Sequence, residues 1–478
     1  MSAQLLNPYG SSDWSALLPV LVVSAGGLLV LIADLLLPKG ARRSAALVLS
    51  LLALAGAAIL AAQQWGHPFS AFGGAFVTGG FTIAFEEIVV AGSALSLLLA
   101  HRLGREDQAA SAIALLLWGT AGAMLMAGAA NLLMVFLGLE LLSLALYCLC
   151  GLGARGTARE AALKYLILSS TASGFMLYGM ALLFGATGSV SLAALLLPSA
   201  SPALLSIGSG LFLVGLAFKL SLVPFHVWTP DVYEGAPLPI TAFMSVVTKA
   251  GTLAVLARFA YGALSSHESA TLLAPLWVLA ALSMIVGNVG ALAQTDIKRL
   301  LAYSGIAQLG YVVTALAGTT ALGLRYAIFY LGAYTFMNLG AFAVAALLSR
   351  EHEEGSRLSA YAGLGYRRPW LAAAMTFFLL GLAGLPPTAG FTAKVLILAS
   401  SVGAGYAWLA GLLIVGTAIS IYVYLKIVRA MYARTTGAPV QASAAEFLPW
   451  VGVAICTVAT IVLGFYPLVP SDVIPLVK

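Results

Sequence analysis

Runs of about twenty apolar residues follow one another along almost the whole chain, and a run of that length is what a bilayer core accommodates as one helix. Fourteen can be counted, at 14–37, 44–63, 81–100, 109–128, 131–152, 160–186, 204–223, 237–261, 272–293, 299–317, 322–349, 369–402, 406–431 and 447–466. The seventh ends at Pro224, and the twelfth is interrupted by Gly384-Leu385-Pro386-Pro387. Only 8% of the residues are charged, against roughly a quarter in a soluble domain, so the chain cannot dress a surface for water. The first run is too long, and too poor in preceding basic residues, to be a cleaved signal peptide. The expected fold class is an all-α polytopic membrane protein with about fourteen transmembrane helices.

The basic residues test this count. Lysine and arginine collect in cytoplasmic loops. Lys39, Arg42 and Arg43 follow the first run, Arg102 and Arg105 the third, and Arg155 and Arg159 the fifth. Lys298 and Arg299 follow the ninth, Arg350, Arg357, Arg367 and Arg368 the eleventh, and Lys426, Arg429 and Arg434 the thirteenth. The even exits and the termini hold only Arg258, Arg325 and Lys478. This alternation predicts both termini on the outer side. One cytoplasmic stretch breaks the pattern: after Pro224 there is no basic residue but His226, Asp231 and Glu234, which reads as a loop serving a site.

Several functions are excluded by what is missing. The net charge of +6 lies in short loops, without a basic run interleaved with aromatics, so nucleic-acid binding is not expected. Cys148, Cys150 and Cys456 lie in apolar runs without metal-ligand spacing and read as small buried residues. There is no iron–sulfur, haem or nucleotide-loop motif. Any electrons travel on another chain.

Five ionisable residues fall inside the runs: Glu140, Lys164, Lys219, Lys249 and Lys394. A charge at mid-membrane costs about 2.5–3.5 kcal/mol even on the lenient insertion scale, and such residues mark ion or proton pathways. Lys164 lies about one turn from a cytoplasmic end, where snorkelling competes as an explanation. For the other four the bland alternative is an inert buried ion pair. Burial penalises an ammonium and a nearby carboxylate restores it, so a Glu–Lys pair that can be made and broken is a tunable proton carrier. Lys219 precedes a helix C-terminus, whose carbonyl dipoles favour a cation. Lys394 follows a break and is expected near a helix N-terminus, whose dipole opposes one. His226, just past the break, can exchange protons near neutral pH. Tyr303, Ser304, Gln308 and Tyr311 line the tenth run at helical spacing, with packing as the plainer reading. Glu86 and Glu87 open the third run and read as caps or interfacial carboxylates. Asp296 beside Lys298 and Arg299 reads as a loop ion pair.

VGLAFKLSLVPF in the seventh run and LGLAGLPPTAGF in the twelfth both break at proline, five runs apart and so facing opposite ways. Inverted repeats with broken helices are a common way to build a midplane site.

The stretches KLSLVPFHVWTPDVYEGAPLPITAFMSVVTKAG, QTDIKRLLAYSGIAQLGY and GLAGLPPTAGFTAK resemble the subunit N family of the proton-pumping NADH-quinone oxidoreductase, complex I. The likeness runs from about the fourth to the thirteenth run. It implies helices 1–3 in 1–105, a first antiporter-like repeat of helices 4–8 in 106–262, a second, inverted repeat of helices 9–13 in 263–435, and helix 14 in 436–478, with helices 7 and 12 broken. It implies Glu140 and Lys219 as a charge pair, Lys249 as the central lysine and Lys394 as the distal one, with lesser roles for Lys164 and His226. It implies no cofactor on this chain, with quinone, flavin and iron–sulfur clusters in partner membrane-arm and peripheral subunits, and a place in a bacterial inner membrane. Related sodium/proton antiporter subunits share the broken helices and supply the alternative function. Many relatives carry histidine where this chain has Gln308, and glutamine cannot hold a proton at neutral pH. The expected link there is water-mediated, through Gln308 and Tyr311.

Overall fold

The computed structural model describes residues 10–100, 103, 108–153, 156–196, 201–263, 269–349, 356–434 and 447–470. Of the loop charges, Arg102, Arg105, Arg155, Arg350 and Lys478 lie outside them, as do the expected boundaries at 105 and 435. Among the described residues thirteen helices are long and apolar enough to cross a membrane: α1 (Leu18–Leu36), α2 (Lys39–Gln63), α3 (Gly80–Leu99), α4 (Ala109–Gly128), α5 (Leu132–Cys150), α6 (Gly156–Thr187), α7a (Pro202–Leu220), α8 (Leu238–Ala263), α9 (Ser269–Leu292), α10 (Ile297–Ala317), α11 (Ala321–Leu348), α13 (Ala407–Tyr432) and α14 (Phe447–Phe465). Two shorter halves, α12a (Pro369–Ala383) and α12b (Ala389–Gly403), make up the fourteenth.

Helix ends are set by local chemistry. The Asn131 side chain accepts from the Met134 N–H at the start of α5, and Thr320 accepts from Gly323 at the start of α11. Asp296 caps α10, accepting from the Lys298 and Arg299 backbone, so the expected loop ion pair is instead an N-cap. Between α2 and α3 a short hairpin pairs β1 (Ser70–Ala71) with β2 (Phe76–Val77), Ser70 opposite Val77.

The interior is centred on α8, whose membrane window is buried along its whole length. It packs against α3, α4, α5, α7a, α10 and α11. In turn α11 touches α3, α8, α10, both halves of α12 and α14, so it lies between α8 and the broken helix α12. Apolar side chains of α1, α2, α5, α6, α13 and α14, such as Leu29, Leu52, Leu137, Ile167, Ile414 and Val458, point outward. That is the arrangement for lipid or for neighbouring subunits.

Three further expectations change. The stretch after Pro224 is not a plain loop: Trp228–Gly235 forms a further helix, α7b, that carries Asp231 and Glu234. Its proline, Pro230, sits in the first turn, where a missing N–H costs nothing. Glu86 is neither a cap nor interfacial. It lies inside α3, 2% exposed, with Oε1 unpartnered. Cys148 is exposed on the outer face of α5, not buried.

Candidate functional site

Both broken crossings are built the same way. α7a ends at Ser221 in the left-handed conformation (φ 60°), and α12a ends at Gly384 (φ 84°). The cap residues turn back on the helix, with Leu222 N–H to Ala217 O at 2.8 Å and Leu385 N–H to Leu380 O at 3.0 Å. A cis proline peptide follows each cap, Val223-Pro224 and Pro386-Pro387. The caps leave the last carbonyls without helical partners.

Two lysines take those carbonyls. Lys249, from α8, donates to the Lys219 carbonyl at 2.7 Å and to Ser221 Oγ at 2.5 Å. Lys394, from α12b, donates to the Leu382 carbonyl at 3.2 Å and the Ala383 carbonyl at 2.9 Å. The carbonyls of Lys219 and Leu382 each stand two residues before the left-handed cap. Lys249 and Lys394 therefore occupy equivalent places at the C-terminal, electronegative end of a half-helix. For Lys394 this reverses the expectation of an N-terminal field: its backbone lies on the second half, but its side chain reaches back to the end of the first.

Lys219 does not use the carbonyl end of its own helix. Its ammonium turns to α6, donating to Tyr165 Oη at 3.0 Å and Ser169 Oγ at 2.8 Å. Glu140 accepts from Ser173, one turn further along α6, at 2.5 Å. The expected pair therefore makes no direct contact. Glu140 and Lys219 are joined by the hydroxyl-bearing face of α6, Tyr165, Ser169 and Ser173, and Glu140 is only half-buried at the surface of the chain. Sequence reasoning passed over these three residues, although their spacing of four places them on one face.

Each lysine also lies over an aromatic ring: Lys219 4.9 Å from the Tyr165 centroid, Lys249 5.2 Å from Trp228 and Lys394 4.9 Å from Tyr311. A desolvated cation gains about 2 kcal/mol from such a face. Exposures of 2%, 3% and 5% place all three away from water. Their partners are carbonyls, hydroxyls and rings, all uncharged, and these can serve the ammonium and release the amine.

Gln308, where a water-mediated link was expected, contacts the Lys394 site itself. Its amide donates to the Leu382 carbonyl at 3.0 Å, the carbonyl that Lys394 also uses, and its oxygen accepts from Tyr330. The link from Gln308 to the Lys394 site is direct. The other α10 residues fan out: Ser304 bonds Tyr424 at 2.5 Å, Tyr311 accepts from Asn288 at 2.9 Å, and Tyr303 stands edge-on to His226 with centroids 6.4 Å apart. His226 lies half-buried between α7a and α7b, with Nδ1 unpartnered.

Lys164 belongs to a different cluster. It is exposed and pairs with Glu160 at 2.9 Å and Asp231 at 3.2 Å. Arg299, from α10, binds Asp231 at 2.7 Å and Glu234 at 2.8 Å. This network ties α6, α7b and α10 together at the end where the basic loops gather. Among the described residues no three of His, Cys, Asp or Glu are grouped to hold a metal ion.

The model of the NADH:quinone oxidoreductase/Mrp antiporter transmembrane family matches residues 129–420. NADH-quinone oxidoreductase subunit N 1 of Symbiobacterium thermophilum is 40% identical over 470 residues, covering 94% of this chain and 95% of its own. The chain belongs to the subunit N family of NADH-quinone oxidoreductase. The subunit N of Trichlorobacter lovleyi is 40% identical over 443 residues, 90% of each chain. A chain of respiratory complex I from Thermus thermophilus superposes with a TM-score of 0.81 at 36% identity, covering 94% of this chain and 97% of that one. A chain of the Mrp complex from Dietzia shares the fold, with a TM-score of 0.80 at 20% identity.

Proposed function

We propose that this chain is a proton-translocating membrane-arm subunit of an NADH-quinone oxidoreductase in a bacterial inner membrane, with both termini on the outer side. Protons move through Glu140, Lys219, Lys249 and Lys394, and His226 exchanges them near the cytoplasmic end of the path. Residues 106–262 and 263–435 act as two inverted halves, each holding one broken helix. Quinone, flavin and iron–sulfur clusters belong to partner membrane-arm and peripheral subunits. Identity to subunit N relatives is about twice that to the Mrp chain, which favours this reading over a sodium/proton antiporter.

The observation that carries the reading is the pair of buried lysines, Lys249 and Lys394, each held on the exposed carbonyl end of a half-helix. A proton on either is bound by neutral acceptors, so a charge moving nearby shifts its affinity. Half-buried Glu140 offers the point of attack for a neighbouring subunit. A change in its charge reaches Lys219 across the hydroxyl face of α6, and Lys249 through the Lys219 carbonyl. In vesicles containing the assembled complex, Lys219→Ala is expected to slow pumping about tenfold or more, a proton-transfer group being worth about 10²–10⁴ when it limits the rate. Parental pumping in assembled Lys219→Ala complex contradicts the proposal.

Lys164 makes a contrasting case. Its ion pairs are open to solvent and worth roughly 0–1 kcal/mol. Lys164→Ala should keep coupled NADH-quinone activity within a few-fold of the parent, read as the initial rate in the same vesicles.

A further inference from the structure

The two lysine sites lie on different helices, and α11 touches α8 and both halves of α12. Its sequence there is not uniformly apolar. Tyr330, Tyr334 and Asn338 recur every four residues, on one side of the helix. All three are at most 2% exposed.

Each faces a residue of α8 or α10. At the Lys249 end, Asn338 Nδ2 donates to Ser245 Oγ at 2.7 Å, and Ser245 precedes Lys249 by one turn of α8. Ser245 spends its own proton on the Ala242 carbonyl at 2.7 Å, so its oxygen can only accept. That fixes the orientation of the Asn338 amide and leaves Oδ1 facing away, buried and unpartnered. Midway, a methyl added to Gly305 of α10 would lie 3.0 Å from the Tyr334 hydroxyl, so this hydroxyl rests against a helix surface bare of side chain. At the Lys394 end, Tyr330 donates to Gln308, which shares the Leu382 carbonyl with Lys394. The Gln308 orientation is fixed as well, because a carbonyl can only accept.

We propose that Tyr330, Tyr334 and Asn338 are positioning residues that carry the proton path from Lys249 to Lys394 along α11, past the untitratable Gln308 that Tyr330 and the Leu382 carbonyl hold in place. The inference rests on the reading of the two lysines as proton carriers. The chemistry needed is a buried line of hydroxyl and amide groups on which water can be ordered. The unpartnered Asn338 Oδ1 is the acceptor that takes the first such water, since buried acceptors are rarely left unbonded.

The test uses the whole complex in sealed vesicles. Asn338→Leu keeps the branched heavy-atom shape and removes the amide, and Tyr330→Phe removes one hydroxyl. Each is expected to slow coupled pumping about tenfold, within the range for residues along a coupling network. The slowed step is a proton transfer, so turnover should show a larger solvent-deuterium effect than the parent's. Asn338→Gln should recover part of the rate. A purely structural role would move neither the isotope effect nor the recovery by an amide.

Parental pumping and isotope effect in assembled Asn338→Leu complex, beside slow Lys249 and Lys394 variants, overturn this inference alone. Parental rates in the lysine variants too overturn it together with the proposed function. If Asn338→Leu fails to assemble, Tyr330→Phe decides by the same two readings.

Discussion

Replacing Lys249 by methionine is expected to lower proton pumping and the coupled quinone reductase rate about a hundredfold, with the complex assembling at its normal level. The magnitude is the low end of what loss of a positioned proton-transfer group costs. Methionine retains most of the apolar stem, so α8 keeps its packing against the neighbouring helices. What disappears is the ammonium that contacts the Lys219 carbonyl and Ser221, and with it the step between the halves. Ser221 keeps its partner in Thr229, whose hydroxyl lies 2.6 Å away, so the break in crossing seven is still held. Rates of pumping and of quinone reduction, normalised to assembled complex on a native gel, check the prediction.

Gly390→Val is expected to have an effect of a different kind, the loss of the complex from the membrane. A Cβ at Gly390 would stand 1.9 Å from the Gly381 carbonyl oxygen, a backbone atom that cannot swing aside. The two halves of crossing twelve meet at this point, and separating them displaces the carbonyls of Leu382 and Ala383 from Lys394. Overpacking of a tight interior costs roughly 1–3 kcal/mol, and a clash of backbone on backbone lies at the upper end. Gly403→Ala is the control, since a Cβ there meets nothing within 4 Å. The native-gel yield should fall to little or none for Gly390→Val and stay at the parental level for Gly403→Ala.

The gross architecture was legible because it follows from lengths. Apolar runs of about twenty residues, breaks at Pro224 and Pro386, and the alternation of basic loops each report one physical constraint along the chain. The lysines were legible for a related reason, as their cost in lipid is visible in a one-dimensional pattern. Where their ends go was not. Lys394 sits on the second half of a broken helix, and only packing shows that its flexible stem crosses back to the first. Glu140 and Lys219 invited a direct ion pair as opposite charges, but Tyr165, Ser169 and Ser173 occupy the space between. The segment Trp228–Gly235 read as loop because proline and histidine stand near its start, although a proline in the first turn is compatible with a helix. Asn338 drew no notice because a single amide in an apolar run is most often satisfied locally. Its meaning came from the neighbours that the fold brings to it. Glu86, a carboxyl wholly inside α3, was misplaced for the opposite reason: nearness to a predicted helix start was taken as nearness to water.

The claim that these lysines carry protons is tested most directly by counting protons and electrons together. Proteoliposomes of the complex bearing Lys219→Ala, Lys249→Met or Lys394→Ala are supplied with NADH and quinone, and proton movement is recorded against NADH oxidised. The account predicts slowed proton movement in all three at normal assembly, with quinone reduction slowed alongside it. Pumping rate and proton-to-electron ratio both equal to the parent's in all three would contradict it and leave the buried lysines as static ion-binding elements of the fold.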